Sequence, residues 1–286
     1  MKNIKYFFEF FFIIILFLIF KILGFKNASN LGAIIGRAFG PLFRSNKIIK
    51  NNLENSNIGT SEKEREDITK DMWGNYGRIF AEYMFIKDFR KNKLSNNIEI
   101  VGQDIINEIK FEKKPVIFIS GHFNNFELMA MHLEKSGIDL AAIYRPLNNK
   151  FLNPIMERIR KQFICKKQIK KGISGTKEIL KYFKNGTSIA LMIDQRVSEG
   201  ISCNFFNKKA LTTTIPAQFV KKFECKIVPI YIERKNRHKF RLEVLKPIKF
   251  SSKENLEEIT FELNKILENL IKRNPEQWIW SHNRWK

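Results

Sequence analysis

Cysteine is scarce in this chain. Three residues, Cys165, Cys203 and Cys225, occur among 286. They lie far apart and form no C-x-x-C pair, which excludes a disulfide framework and a cysteine zinc site and leaves reduced thiols, read as buried in a cytoplasm-facing domain. The four histidines, His122, His132, His238 and His282, are not spaced as ligands, so no metal is implied. Gly172, Gly175 and Gly186 make no G-x-G-x-x-G fingerprint and no P-loop is present, so nothing calls for a nucleotide cofactor. Acidic residues are also under-supplied: Asp plus Glu number 29 against 51 Lys plus Arg, a formal net charge of +22. That surplus favours anionic partners such as nucleic acid, an anionic membrane surface, lipid phosphates or an acidic protein, although scattered lysines are also read as general surface solvation. Internal repeats and low-complexity linkers are missing too. A hydrophobic content of 44% suits a single globular domain with an appendage.

What the chain does have is one long apolar run. Residues 10–20 read FFFIIILFLIF, and widened to 4–23 the run reaches about the twenty residues needed to cross a hydrocarbon core. Lys5 and Lys21 sit near its ends, where long stems can snorkel, and Glu9 lies within two turns of the start. No small-x-small cleavage site follows, which favours an anchor over a cleaved signal; a buried core helix and a helix lying in the interface are the competing readings, the latter without a polar face. Lys2 and Lys5 precede the run, whereas Lys21, Lys26, Arg37, Arg44, Lys47 and Lys50 follow it, so the bulk of the chain is expected on the cytoplasmic side. The expected organisation is a single-pass anchor over residues 1–25 and a catalytic domain over 26–286, with the glycine-spaced stretch 24–50 continuing along the membrane surface.

Further on, strand and helix patterns alternate. Residues 61–89 have the charged start and apolar spacing of a helix. Short apolar, β-branched runs predict strands over 115–120, 140–144 and 188–193, with further strands over 227–233 and 240–245 joined by a basic turn. Helices are predicted over 126–135, 152–163, 175–183, 214–223 (with Pro216 in the first turn) and 255–273. The fold class is α/β, a mixed central sheet flanked by helices, with an N-terminal transmembrane helix.

Directly after the first of these strands comes Gly121-His122-Phe123-Asn124-Asn125-Phe126-Glu127. On one continuous helix His122 and Glu127 would stand about 140° apart, at 3.6 residues per turn. They can meet only if a loop runs into a helix N-terminus, which the preceding strand and Gly121 supply. A histidine can accept a proton near neutral pH, and a carboxylate on its other nitrogen fixes the tautomer. With no serine or cysteine in the motif, the simplest use is to deprotonate an acceptor hydroxyl that attacks an activated carbonyl. An H-x-x-x-x-E spacing alone is common by chance.

More specific is a series of blocks that resembles the late (secondary) acyltransferases of lipid A biosynthesis, the lauroyl/myristoyl transferase family. The block 121–127 is similar to their Gly-His-Phe-Gly-Asn-Trp-Glu. Residues 143–149 (IYRPLNN) resemble their Tyr-Arg-Pro segment, 192–195 (MIDQ) their Asp-Gln or Asp-His strand end, and 205–206 with 212–214 their Phe-Phe-Gly…Thr block. The closing PEQWIWSHNRWK (275–286) is similar to their Pro-Glu-Gln-Tyr-x-Trp-x-His-x-Arg-Phe-Lys. Asn124, Phe126, Asn207 and Pro216 depart from the pattern without removing a catalytic group, and leave another glycolipid open as acceptor, since related enzymes acylate other glycolipids. The resemblance implies a glycerolipid-acyltransferase-like fold in the bacterial inner membrane. It also implies an acyl carrier protein thioester as donor and a phosphorylated lipid A precursor as acceptor. His122 would be the general base and Glu127 its orienting partner, with Arg160, Asp194 and Arg145 toward substrate. A glycerophospholipid acyltransferase usually has Asp where this chain has Glu127; a hydrolase using the same base on water and a membrane-tethered nucleic-acid-binding protein are the readings from other classes.

Overall fold

The computed structural model describes residues 2–286. The chain opens with α1 (Lys2–Phe43), which continues well past the apolar run and is interrupted only at Gly24, where φ 74° and ψ 165° break the helix. Then come α2 (Asn46–Ser56) and α3 (Glu62–Glu82). Ser61 starts α3 with a capping box: its side chain accepts from the Glu64 N–H while Glu64 reaches back to the cap backbone, satisfying two of the donors a helix start leaves open. The single helix predicted over 61–89 is divided by a 3₁₀ turn, Tyr83–Phe85, before the short α4 (Ile86–Arg90).

The remaining elements are β1 (Ile98–Val101), α5 (Gln103–Glu112), β2 (Ile117–Ser120), α6 (Glu127–Lys135), β3 (Leu140–Tyr144), α7 (Leu152–Ile159), β4 (Lys167–Lys170), α8 (Ile173–Lys184), β5 (Ser188–Met192), β6 (Ile201–Phe205), β7 (Lys208–Thr212), α9 (Ile215–Phe223), β8 (Ile227–Lys235), β9 (Lys239–Val244) and α10 (Leu256–Arg273). Seven strands form one sheet in the order β1-β9-β8-β2-β5-β3-β4, and β6 and β7 form a separate hairpin. Strands β8, β2, β5, β3 and β4 are parallel, β9 turns back antiparallel on β8, and β1 joins β9 in parallel. The fold is therefore α/β with a mixed sheet, as the alternating pattern predicts. Central β2 is buried at every position, which is why it reads as a continuous apolar run.

The second half of α1 lies against α3 so closely that only glycine fits. A Cβ at Gly36 would fall 2.2 Å from the Trp73 carbonyl oxygen, and one at Gly77 1.8 Å from that of Gly32. Gly32, Gly36 and Gly40 of the 24–50 stretch thus line a helix-packing seam against α3; small residues at this spacing let two backbones approach. Among the described residues, α1 is the one helix long and apolar enough to cross a membrane.

Candidate active site

Site geometry follows from strand register. β2 and β5 are parallel neighbours in which Ser120 faces Met192, and the Ile193 N–H donates to the Ser120 carbonyl at 2.9 Å. Two residues beyond that pair, each chain leaves the sheet, and His122 and Asp194 emerge side by side. This is the carboxyl end of adjacent parallel strands at the point where connections diverge, β2 leading to β3 on one side and β8 lying on the other, the usual position for a site in such sheets. The next residues make a tight loop into α6. Asn124 takes a left-handed φ of 43°, a conformation that glycine and asparagine tolerate best.

Asp194 is held by three donors. Its Oδ1 lies 2.8 Å from His122 Nδ1, and its Oδ2 accepts from the His122 backbone N–H at 2.7 Å and from Trp278 Nε1 at 2.9 Å. The carboxylate is 1% exposed. Burial by itself would raise its pKa, but the imidazolium charge, both bonds from His122 and the Trp278 donor outweigh that and hold it below the ordinary aspartate value. For His122, burial pushes downward, while the charge and hydrogen bond of Asp194 and the charge of Glu127 prevail and raise it above 6.5. With Nδ1–H donated to Asp194, Nε2 is the basic nitrogen, and it has no hydrogen bond among the described residues. Phe126 meets the imidazole edge to face at 4.9 Å.

Glu127 begins α6, and its Oε1 accepts from Arg160 Nε at 2.9 Å and Nη2 at 2.6 Å. No hydrogen bond joins it to His122 among the described residues. The expectation from the motif is Glu127 orienting the imidazole and Asp194 facing substrate. In the structure, strand register brings Asp194 to Nδ1 while the guanidinium of Arg160 takes up Glu127. Arg160 opens a π-helical turn, Arg160–Ile164, and stacks over Tyr144 at 5.5 Å. Its Nη1 is not taken up by the carboxylate. Arg145 is exposed and has no ion pair among the described residues.

A buried polar network supports the loop from behind. Glu82, 0% exposed, pairs with Arg234 through Oε1–Nη1 at 2.6 Å and Oε2–Nη2 at 3.0 Å. Arg234 Nη2 also donates to Asn124 Oδ1 at 2.9 Å, and Asn124 Nδ2 donates to Gln277 Oε1 at 2.8 Å. Gln277 and Trp278 belong to the closing sequence block, so that block is core machinery. Trp278 and Trp280 are buried, and Arg284 donates to the Leu211 carbonyl and Thr212 Oγ1. Nothing in the sequence pairs Glu82 with Arg234 across 152 positions. Of the other three histidines, His282 is close enough to the dyad to feel the charges of Asp194 and His122. His132 bonds Gln103 and His238, expected in a solvated turn, is half-buried against Asn30. The three cysteines are free and buried, and burial pushes the Cys165 and Cys225 thiols up to about 12, which disfavours the thiolate a nucleophile needs.

The arrangement, a base with a fixed tautomer and no nucleophilic side chain beside it, suits activation of an incoming hydroxyl. The chain is 24% identical over 268 residues to the lipid A biosynthesis lauroyltransferase of Escherichia coli K12, covering 90% of this chain and 84% of that protein. It is 25% identical over 264 residues to the lipid A biosynthesis palmitoleoyltransferase of the same organism, with the same coverage. It is 22% identical over 223 residues to the myristoyltransferase, covering 77% of this chain and 68% of that protein. The family model for bacterial lipid A biosynthesis acyltransferases matches residues 1–286, and the chain belongs to that family of acyltransferases.

Proposed function

We propose that this protein moves a fatty acyl chain from an acyl carrier protein thioester to a hydroxyl of a lipid A precursor, with His122 as general base and Asp194 as the carboxylate that orients it. The observation that carries this reading is the 2.8 Å contact between His122 Nδ1 and Asp194, beside a ring whose Nε2 is left for substrate. Nε2 takes the acceptor hydroxyl proton as the oxygen attacks the thioester carbonyl. The tetrahedral oxyanion then collapses, the carbon–sulfur bond breaks, and the imidazolium returns the proton to the leaving thiolate. The products are an ester and a free thiol. Asp194 stabilises the imidazolium in between, as in triad chemistry. Glu127 holds Arg160, whose remaining Nη1 suits a phosphate or the developing oxyanion, and the exposed Arg145 suits an acceptor phosphate.

We further propose that the enzyme works at the cytoplasmic face of the bacterial inner membrane, in keeping with its apolar N-terminal helix and the excess of lysine and arginine that follows it. Membranes carrying the protein, supplied with acyl carrier protein thioesters and a lipid A precursor, test the reaction. Acyl transfer by the wild type and at least a ~10²-fold loss in His122→Ala, the scale of general-base catalysis, are expected. Equal transfer by both proteins contradicts the proposal.

A further inference from the structure

The N-terminal part of α1 does not project from the catalytic domain. It lies along it. At one end, Asn149 Nδ2 donates to the Tyr6 carbonyl at 2.8 Å, and Phe7 and Phe10 meet Phe151 at 5.9 and 6.0 Å. In the middle, Ile13 and Leu16 pack on the core. Toward Gly24, Phe17 and Phe20 contact Phe80, and Lys21 pairs with Asp88 at 2.7 Å. From Tyr6 to Phe25 this seam covers about 29 Å at 1.5 Å per residue, close to the ~30 Å thickness of a hydrocarbon core.

An upright helix would therefore drag the loop at 145–151 to the far side of the bilayer, together with Arg145, Asn148 and Lys150, all exposed. Burying such charges in hydrocarbon is costly. The opposite face of the same helix is bare: Ile4, Phe8, Phe11, Phe12, Leu18 and Ile22 are between 57% and 85% exposed. At 100° per residue the exposed apolar positions fill an arc of roughly 160°. Lys5 falls at one border, where its ammonium group reaches a headgroup layer if the helix lies flat, and Lys21 lies just beyond the other, paired with Asp88. The sequence looks apolar all round because the protein covers the side that would otherwise be polar.

We infer that α1 lies in one leaflet, its bare face in lipid and its other face on the catalytic domain, so the protein is monotopic; this rests on the membrane reading above. The contact at Phe151 immediately precedes α7, whose eight residues span about 12 Å and lead to Arg160. Lipid-borne acceptor and the Glu127–Arg160 pair are thereby brought to one membrane surface.

Single-cysteine variants Asn3→Cys, Phe12→Cys and Asn27→Cys of the full chain in native membranes test this, the native cysteines being buried. Asn3→Cys and Asn27→Cys are expected to react with an impermeant maleimide from the same, cytoplasmic side, and Phe12→Cys only after detergent is added. Labelling of Asn3→Cys from the opposite side, or from neither, overturns the inference while leaving the membrane reading intact. Oxidative dimerisation of Phe12→Cys overturns it in favour of a second copy of the chain on that face. Recovery of the protein in the soluble fraction removes the membrane reading and the inference together. None of these readouts depends on acyl transfer.

Discussion

Asp194 and Glu127 are two carboxylates beside one histidine loop, both buried and both hydrogen-bonded to a basic side chain, yet they occupy different chemical situations. Asp194 leaves the end of a central strand and meets an imidazole, a group able to gain and lose a proton. Glu127 opens a helix and meets a guanidinium that stays charged at every relevant pH. The first pair can change its proton content during a reaction; the second is a fixed dipole. Sequence spacing favours Glu127 as the partner of His122, since it stands five residues away, while Asp194 stands 72 positions away. Strand adjacency, not sequence distance, decides which carboxylate reaches the imidazole.

The contrast is broken most severely by Asp194→Asn. An amide at Nδ1 allows the wrong tautomer, and by the precedent of a serine-protease triad the loss in kcat is about 10⁴-fold, measurable with radiolabelled donor. Glu127→Gln leaves the dyad and loosens Arg160; a misplaced positioning group costs about 10²-fold, and the same assay should rank it well below Asp194→Asn. Equal losses in the two variants would erase the distinction. Trp278→Phe removes one donor to Asp194, and a hydrogen bond to a charged group is worth about 1.5 kcal/mol, so kcat should fall about tenfold with little change in KM. Smallest for the chemistry is the loop itself. Asn124→Ala at φ 43° should lower stability by about 1–2 kcal/mol, read as a lower melting temperature in detergent. Asn124→Gly should recover the backbone part of that loss.

Much of the fold is legible in the residue pattern. The β2–loop–α6 context of His122, the strand over 140–144 and the long C-terminal helix all stand close to where the sequence puts them, and Asn255 caps that helix with a capping box. Other elements are not legible. β1 is a four-residue strand without a fully buried position, and β4 has one buried residue among four, so neither offers the alternation that marks a strand. The hairpin β6–β7 packs against α10 outside the main sheet. The length of α1 is hidden because Gly24 and Pro41 read as punctuation. At the site, His122, Glu127, Arg160 and Asp194 all stand out in the sequence, but their pairing depends on the strand order, which no local pattern encodes.

The most direct test of the dyad is the pH dependence of kcat/KM in the wild type, Asp194→Asn and Glu127→Gln, measured in parallel. His122 must be neutral to accept a proton, and Asp194 raises its pKa, so wild-type activity should rise with pH through a midpoint above 6.5. In Asp194→Asn the charge is gone and burial dominates, so the residual activity should rise through a midpoint below 6.5. Glu127→Gln should give only a small downward displacement, since Glu127 acts on His122 through its charge alone. A wild-type midpoint that Asp194→Asn leaves in place and Glu127→Gln moves would contradict the account and return the orienting role to Glu127.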